Sequence, residues 1–82
     1  MTPMAICVVL RKESETERDA VYLFGPDEGR LGKVMIDKRT GEIQVLEPIP
    51  GDRTTFYSSR AARRLEQHFK KGEFPDETMY AT

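Results

Sequence analysis

The residues that could carry out chemistry in this chain are few and scattered. The single histidine is His68, the single cysteine is Cys7, and the serines nearest to the histidine in sequence are Ser58 and Ser59. A catalytic nucleophile needs a base within hydrogen-bond reach, and no motif around these residues places one there. We therefore predict a protein that is not an enzyme and has no catalytic residues.

Metal and cofactor sites have equally weak support. One histidine and one cysteine cannot supply a typical zinc site without several carboxylates. The glycine spacing of segment 25–32, GPDEGRLG, resembles a phosphate-binding loop only loosely, because it precedes a predicted strand rather than a helix. Catalysis by His68 would require a cleft with Glu66 or Asp52 within reach. We predict neither a metal nor a cofactor.

The segment RAARRLEQHFKK, residues 60–71, concentrates positive charge in a chain whose net charge is −1. Residues 57–72 hold five basic side chains and one acidic side chain, a net charge of +4, so the rest of the chain carries −5. On a helix these bases could follow a phosphate backbone or contact an acidic protein. Alternatively, acids in segments 13–19 and 73–77 could balance them internally. The candidate residues for a charged partner are Arg60, Arg63, Arg64, Lys70 and Lys71.

Apolar residues in the same segment indicate how its helix packs. Tyr57, Ala61, Leu65 and Phe69 recur at every fourth position and form one stripe. Gly72 follows the last basic pair, in the position where a left-handed residue commonly ends a helix. We predict one amphipathic helix that ends at this glycine and lies across a sheet.

Strands are predicted before the helix. Residues 5–10, AICVVL, and 20–24, AVYLF, are short and rich in β-branched or aromatic residues, as buried strands are. Cys7 then has the role of a packed thiol. Between these strands, the polar segment 11–19 predicts a mobile hairpin loop.

A second hairpin is predicted in segment 32–46 around the sequence DKRTG. Gly41 can adopt the left-handed conformation that closes a four-residue loop. This turn places Ile36 opposite Ile43, and Val34 opposite Val45, so that all four side chains share one face.

These elements predict an α+β fold. The chain forms a four-stranded antiparallel sheet in the order β-β-β-β-α, a meander, with one C-terminal helix packed on one face. We assign residues 1–72 to this single domain, and residues 73–82 to an acidic C-terminal tail that could dock on it.

The predicted sheet has more apolar residues than one helix can cover. A second face must therefore be covered by the tail, by a second copy of the protein or by another partner. We choose four residues as the candidate interface on that face: Tyr22, Phe24, Met35 and Leu46.

The function predicted from these features is a small non-enzymatic binding module that acts by protein–protein contact, including self-association as a homodimer. Its alternative is a nucleic-acid-binding accessory protein that uses the basic helix, although the chain as a whole is slightly acidic. The longest apolar run, residues 4–10, is shorter than the roughly 20 residues of a membrane-spanning helix. Together with the lone cysteine, this predicts a cytoplasmic protein without a membrane partner.

Overall fold

The computed structural model describes residues 7–51 and 56–81. Within these ranges the chain forms β1 (Cys7–Glu15), β2 (Asp19–Asp27), β3 (Arg30–Asp37), β4 (Ile43–Glu47), α1 (Phe56–Lys71) and β5 (Glu77–Ala81). The strands form one antiparallel sheet in the order β4-β3-β2-β1-β5, and α1 packs on one of its faces. The predicted α+β class, the meander and the C-terminal helix are confirmed, with five strands instead of four.

The additional strand comes from the segment predicted to be a tail. After α1 the chain reverses and β5 pairs with β1, so that Val9 lies opposite Met79 and Leu10 lies opposite Thr78. This pairing gives β1 a second neighbour and satisfies backbone groups that would otherwise lie at an edge. Residues 77–81 therefore belong to the sheet, while residue 82 lies outside the described part of the chain.

The core lies between α1 and the sheet. Ala61 and Leu65 of the predicted apolar stripe are fully buried, and Tyr57 and Phe69 are partly buried at its margins. Ile49, which follows the last strand of the meander, is also buried, with 2% of its surface exposed. The predicted packing face of the helix is thus confirmed.

The predicted end of the helix is confirmed as well. Gly72 has a φ of +72°, and its amide donates to the carbonyl of Phe69 at 3.0 Å. The amide of Glu73 donates to the carbonyl of His68 at 3.0 Å. These two bonds form a Schellman motif, which satisfies the last carbonyls and turns the chain back toward the sheet.

The register predicted for the second hairpin is also correct. Ile36 lies opposite Ile43, and Val34 lies opposite Val45. Val34 and Ile36 are fully buried beneath the helix. The four residues share one face, as predicted. Val45 is nevertheless 42% exposed, because it lies on the edge strand.

The turn of this hairpin has the predicted geometry. Gly41 has a φ of +79°, and its amide donates to the carbonyl of Asp37 at 2.8 Å. The carboxylate of Asp37 accepts from the amides of Arg39 and Thr40 at 2.7 and 3.2 Å. These two bonds hold the pKa of Asp37 below its ordinary value.

The first hairpin is longer than predicted. The loop expected over residues 11–19 is largely strand, because β1 continues to Glu15 and pairs there with Ala20. The turn is tight: the Thr16 hydroxyl accepts from the amides of Arg18 and Asp19, both at 3.1 Å. Cross-strand pairing can extend a strand through polar residues that show no apolar alternation.

Candidate functional site: an open sheet face

Within the described residues the structure has one helix, and it leaves the opposite face of the sheet open. We call this the open face. Its apolar side chains come from four strands: Cys7 and Val9 in β1, Val21 and Leu23 in β2, Leu31 and Met35 in β3, and Met79 in β5. Most of them are half-buried by their neighbours in the sheet, and Met79 is 49% exposed. Since β5 extends the sheet instead of folding across it, the C-terminal segment enlarges this face.

Two of the four predicted interface residues lie on the other side of the sheet. Tyr22 and Phe24 are fully buried beneath α1, and Tyr22 lies opposite Val34 in the neighbouring strand. Its hydroxyl donates to the carbonyl of Pro75 at 2.6 Å, and burial raises the pKa of Tyr22 to about 12. The prediction that these residues lie on the second face is therefore wrong.

The side chains that replace them are their neighbours in β2. Val21 lies opposite Met35, and Leu23 lies opposite Lys33. Both faces of β2 look equally apolar in the sequence, so alternation within the strand does not decide which face is inside. The missed signal was pairing between strands, because a residue opposite Val34 must share its buried face.

The other two predicted interface residues are Met35, which lies on the open face, and Leu46, which lies at a β-bulge. Met35 is half-buried on the open face. Leu46 is 41% exposed and is the extra residue of a β-bulge, since Val34 pairs with Val45 whereas Lys33 pairs with the residue after Leu46. Simple alternation, on which the placement of Leu46 depended, does not continue through a bulge.

A row of charged residues crosses the open face around Leu23. From one edge to the other, the register aligns Glu77, Arg11, Leu23, Lys33 and Glu47. The two cations flank the leucine, and the two acids lie on the edge strands. The face therefore presents both signs of charge close to apolar side chains.

Ion pairs hold these cations in place. The guanidinium of Arg11 lies 3.2 Å from the carboxylate of Glu28, and Nζ of Lys33 lies 3.0 Å from the carboxylate of Glu13. The Glu13 carboxylate holds the pKa of Lys33 above its ordinary value. Because these pairs are exposed to solvent, they shape the charge pattern more than they stabilise the fold.

A hollow of about 500 Å³ is lined largely by residues of the open face, and it also reaches Leu10, Thr78 and Arg64 on the helix side of the sheet. Its apolar lining includes Val9, Leu23, Leu31 and Met79, and its polar lining includes Arg11, Glu28, Glu77, Thr78 and Arg64. Gly25, opposite Val9, adds no side chain to this part of the sheet. The hollow gives the open face a concave apolar area with charged margins.

Two of the predicted basic residues make contacts within the protein. The guanidinium of Arg60 lies 3.7 Å from the ring centroid of Phe56 and donates to the Phe56 carbonyl at 3.1 Å. Arg64 donates from Nε to the hydroxyl of Thr78 at 3.0 Å, and from Nη1 to Gln67 at 2.9 Å. These arginines therefore help to hold α1 and its contact with β5.

The other three basic residues, Arg63, Lys70 and Lys71, are exposed. Across residues 7–51 and 56–81, no carboxylate lies within 4.0 Å of any basic side chain of α1. The paired acids of segments 13–19 and 73–77 instead contact lysines of the sheet, namely Lys12, Lys33 and Lys38. The expected internal balancing of the helix charge is thus not seen in direct contacts.

His68 is 8% exposed and faces β5. Its Nε2 lies 2.8 Å from the hydroxyl oxygen of Thr78, and its Nδ1 is buried without a hydrogen-bond partner. Burial lowers the pKa of His68, and the nearby charges of Arg64 and Lys71 lower it further. The imidazole of His68 therefore contacts the hydroxyl of Thr78 and joins α1 to β5.

The two carboxylates predicted as possible partners of His68 are Glu66 and Asp52, and the structure shows no contact between Glu66 and the imidazole. Glu66 is exposed, and Asp52 lies outside the described residues. Across residues 7–51 and 56–81, no group of three or more histidine, cysteine, aspartate or glutamate side chains could hold a metal ion.

The structure defines a small α+β protein with an antiparallel sheet and one helix among its described residues. In comparisons with known proteins, no family model, curated protein or solved structure matches the chain. No helix in the described part of the chain is long and apolar enough to cross a membrane.

Proposed function

We propose that this protein is a non-enzymatic interaction module that self-associates through the open face. The observation that carries this proposal is the position of β5, which lies beside β1 and leaves the open face without a covering element among the described residues. Apolar surface of this kind is characteristic of interaction sites in soluble proteins.

The charge pattern favours a second copy as the partner. In a twofold dimer the same surface is used on both subunits, so it must complement itself. The open face carries the cations Arg11 and Lys33 together with the acids Glu77 and Glu47, so cations of one copy can meet acids of the other. The apolar side chains around Leu23 then form the dry centre of the interface.

Nucleic-acid binding has less support than self-association. Arg60 and Arg64 contact groups within the protein, and the remaining bases are Arg63 near the middle of α1 and the lysine pair at its end. Phe69 packs against the core, so it is not free to stack on bases.

The experiment is a measurement of solution mass by light scattering or sedimentation, over protein concentrations from about 1 µM to 1 mM. The wild-type protein should shift from monomer to dimer within this range. A Leu23→Asp substitution should raise the dissociation constant at least about a hundredfold, because it buries a charge in an apolar interface. Met79→Asp, at a 49% exposed position of the same face, should weaken the dimer without affecting folding.

The matched control is Val45→Asp. Val45 is an exposed strand residue, with 42% of its surface accessible, but it lies on the same face as Val34 rather than on the open face. This variant should dimerise like the wild type. A wild-type protein that stays monomeric throughout the concentration range would refute the proposed self-association.

A further inference from the structure

The two edges of the sheet differ in how open they are to another strand. At one edge, β4 spans Ile43–Glu47, is distorted by the bulge at Leu46 and is followed by Pro48 and Pro50. Bulges and prolines are features that protect an edge strand from pairing. At the other edge, β5 pairs with β1 in unbroken register over Glu77–Ala81. The β5 edge is therefore the one that can accept a further strand.

Basic side chains lie beside this edge, on the face covered by the helix. Ser59, Arg60 and Arg63 of α1, together with Tyr80 of β5, line a small hollow of about 160 Å³. Arg60 donates from Nη1 to the Phe56 carbonyl at 3.1 Å, and its Nε is buried without a hydrogen-bond partner. Arg63 is exposed, and it makes no hydrogen bond or ion pair with residues 7–51 or 56–81.

The two sides of β5 differ in charge. On the helix side, three arginines of α1 lie beside β5: Arg60, Arg63 and Arg64. On the open face, β5 itself contributes Glu77. A strand added to β5 would meet positive charge through the side chains that face α1, and both signs of charge through the alternate set, because Glu77 lies opposite Arg11 on the open face. The edge therefore favours a segment whose acidic residues alternate with neutral ones.

We propose that the β5 edge, together with the exposed Arg63, binds an extended acidic segment of a partner protein by strand addition, while Arg60 beside it stays on Phe56 and adds positive charge to the hollow. Backbone hydrogen bonds to β5 provide the affinity, and carboxylates facing α1 provide the selectivity. This site lies on the β5 edge and the helix side of the sheet, so it borders the proposed dimer surface at Glu77 but does not depend on dimerisation.

The probe is a peptide of about eight residues with capped ends, in which glutamate alternates with threonine. Its binding is measured by calorimetry at about 50 mM salt, where electrostatic attraction is not strongly screened. The wild-type protein should bind this peptide, and the same peptide with glutamine in place of glutamate should bind at least about tenfold more weakly. A third version, with every backbone amide N-methylated, should not bind, because it cannot donate hydrogen bonds to β5.

The test variant is Arg63→Glu, and its matched control is Lys70→Glu. Both residues are exposed on α1, and both substitutions change the net charge by the same amount. Arg63→Glu should weaken binding of the acidic peptide at least about tenfold, whereas Lys70→Glu should change it less than about twofold. Amide exchange in β5 should slow when the peptide binds, because its outward amides become hydrogen-bonded.

The proposal would be overturned by no binding of the acidic peptide at about 1 mM, by equal binding of the glutamine or the N-methylated peptide, or by equal losses in Arg63→Glu and Lys70→Glu. A single-stranded oligothymidylate serves as the nucleic-acid probe. If it binds more tightly than the peptide, the basic face of α1 is a polyanion site instead. Repeating the titration with Leu23→Asp separates this site from the dimer, since peptide binding should persist in that variant.

Discussion

Nε2 of His68 in α1 lies 2.8 Å from the hydroxyl oxygen of Thr78 in β5. The same hydroxyl accepts a hydrogen bond from Nε of Arg64 at 3.0 Å. Thr78 thus joins two consecutive turns of the helix to the strand at the edge of the sheet. This contact helps to hold the C-terminal segment in the sheet.

Stability should fall in mild acid because of His68. Burial, Arg64 and Lys71 lower its pKa below the ordinary value of 6.5, while Glu73 opposes them weakly. The unfolded chain therefore binds a proton more readily than the folded one, so this contribution is complete above pH 6.5 and is lost as the pH falls through the lower folded pKa. Urea unfolding between about pH 7.5 and 5.5 measures the loss. His68→Gln should show a flatter profile, and identical profiles for the two proteins would contradict this role.

Tyr22→Phe should destabilise the fold by about 1 to 3 kcal/mol, because it leaves the Pro75 carbonyl without the donor now 2.6 Å away. Denaturant unfolding measures this change, and Tyr80→Phe is the control because the Tyr80 hydroxyl makes no hydrogen bond with the described residues. A spectrophotometric titration adds a second measurement. The pKa of Tyr22 is raised from 10.0 to about 12, so its stabilising contribution should be lost as the pH rises through this interval.

Gly41→Ala should destabilise the protein more than Gly72→Ala. Both glycines have a positive φ, +79° and +72°, so each substitution has a backbone cost of about 1 to 2 kcal/mol. A Cβ at Gly41 would lie 2.8 Å from the ring of Phe69, whereas a Cβ at Gly72 would meet nothing within 4 Å. Gly41→Ala should therefore cost at least about 1 kcal/mol more. Thermal or urea unfolding compares them, and equal losses would show that Phe69 moves aside freely.

The Glu15 carboxyl should titrate far below an ordinary glutamate. Hydrogen bonds from the ammonium groups of Lys12 and Lys38 lower its pKa from 4.5 to about 2. Its contribution to stability is present above pH 4.5 and is lost as the pH falls toward 2. An NMR titration of the side-chain carboxyl measures the midpoint, and Lys38→Gln should raise it. A wild-type midpoint near 4.5 would show that these pairs do not form in solution.

Local patterns were sufficient to predict some elements of the fold. Asp37 and Gly41 specify the second hairpin because one caps the turn and the other can adopt a positive φ. The spacing of Ala61 and Leu65 predicts the buried stripe of α1, and Gly72 predicts its end. Each of these features depends on residues close together in the chain.

The candidate surfaces could be predicted only in part. Tyr22 and Phe24 were placed on the wrong face because β2 is apolar on both sides, and only its pairing with β3 decides which side is buried. Leu46 was misjudged because a bulge interrupts the alternation of β4. The basic residues of α1 were identified, but the sequence did not separate Arg60 and Arg64, which have internal contacts, from Arg63, which is exposed.

The sequence by itself determined the helix, the second hairpin and the excess of apolar residues over what one helix can cover. The tertiary structure decided that β5 pairs with β1, which residues of β2 face the open side, and that the basic helix contacts β5. These outcomes depend on contacts such as Cys7 with Ala81, which are far apart in the chain. Such contacts form only when the whole sheet assembles, because a short acidic segment such as residues 73–81 has no strong strand preference without its neighbour.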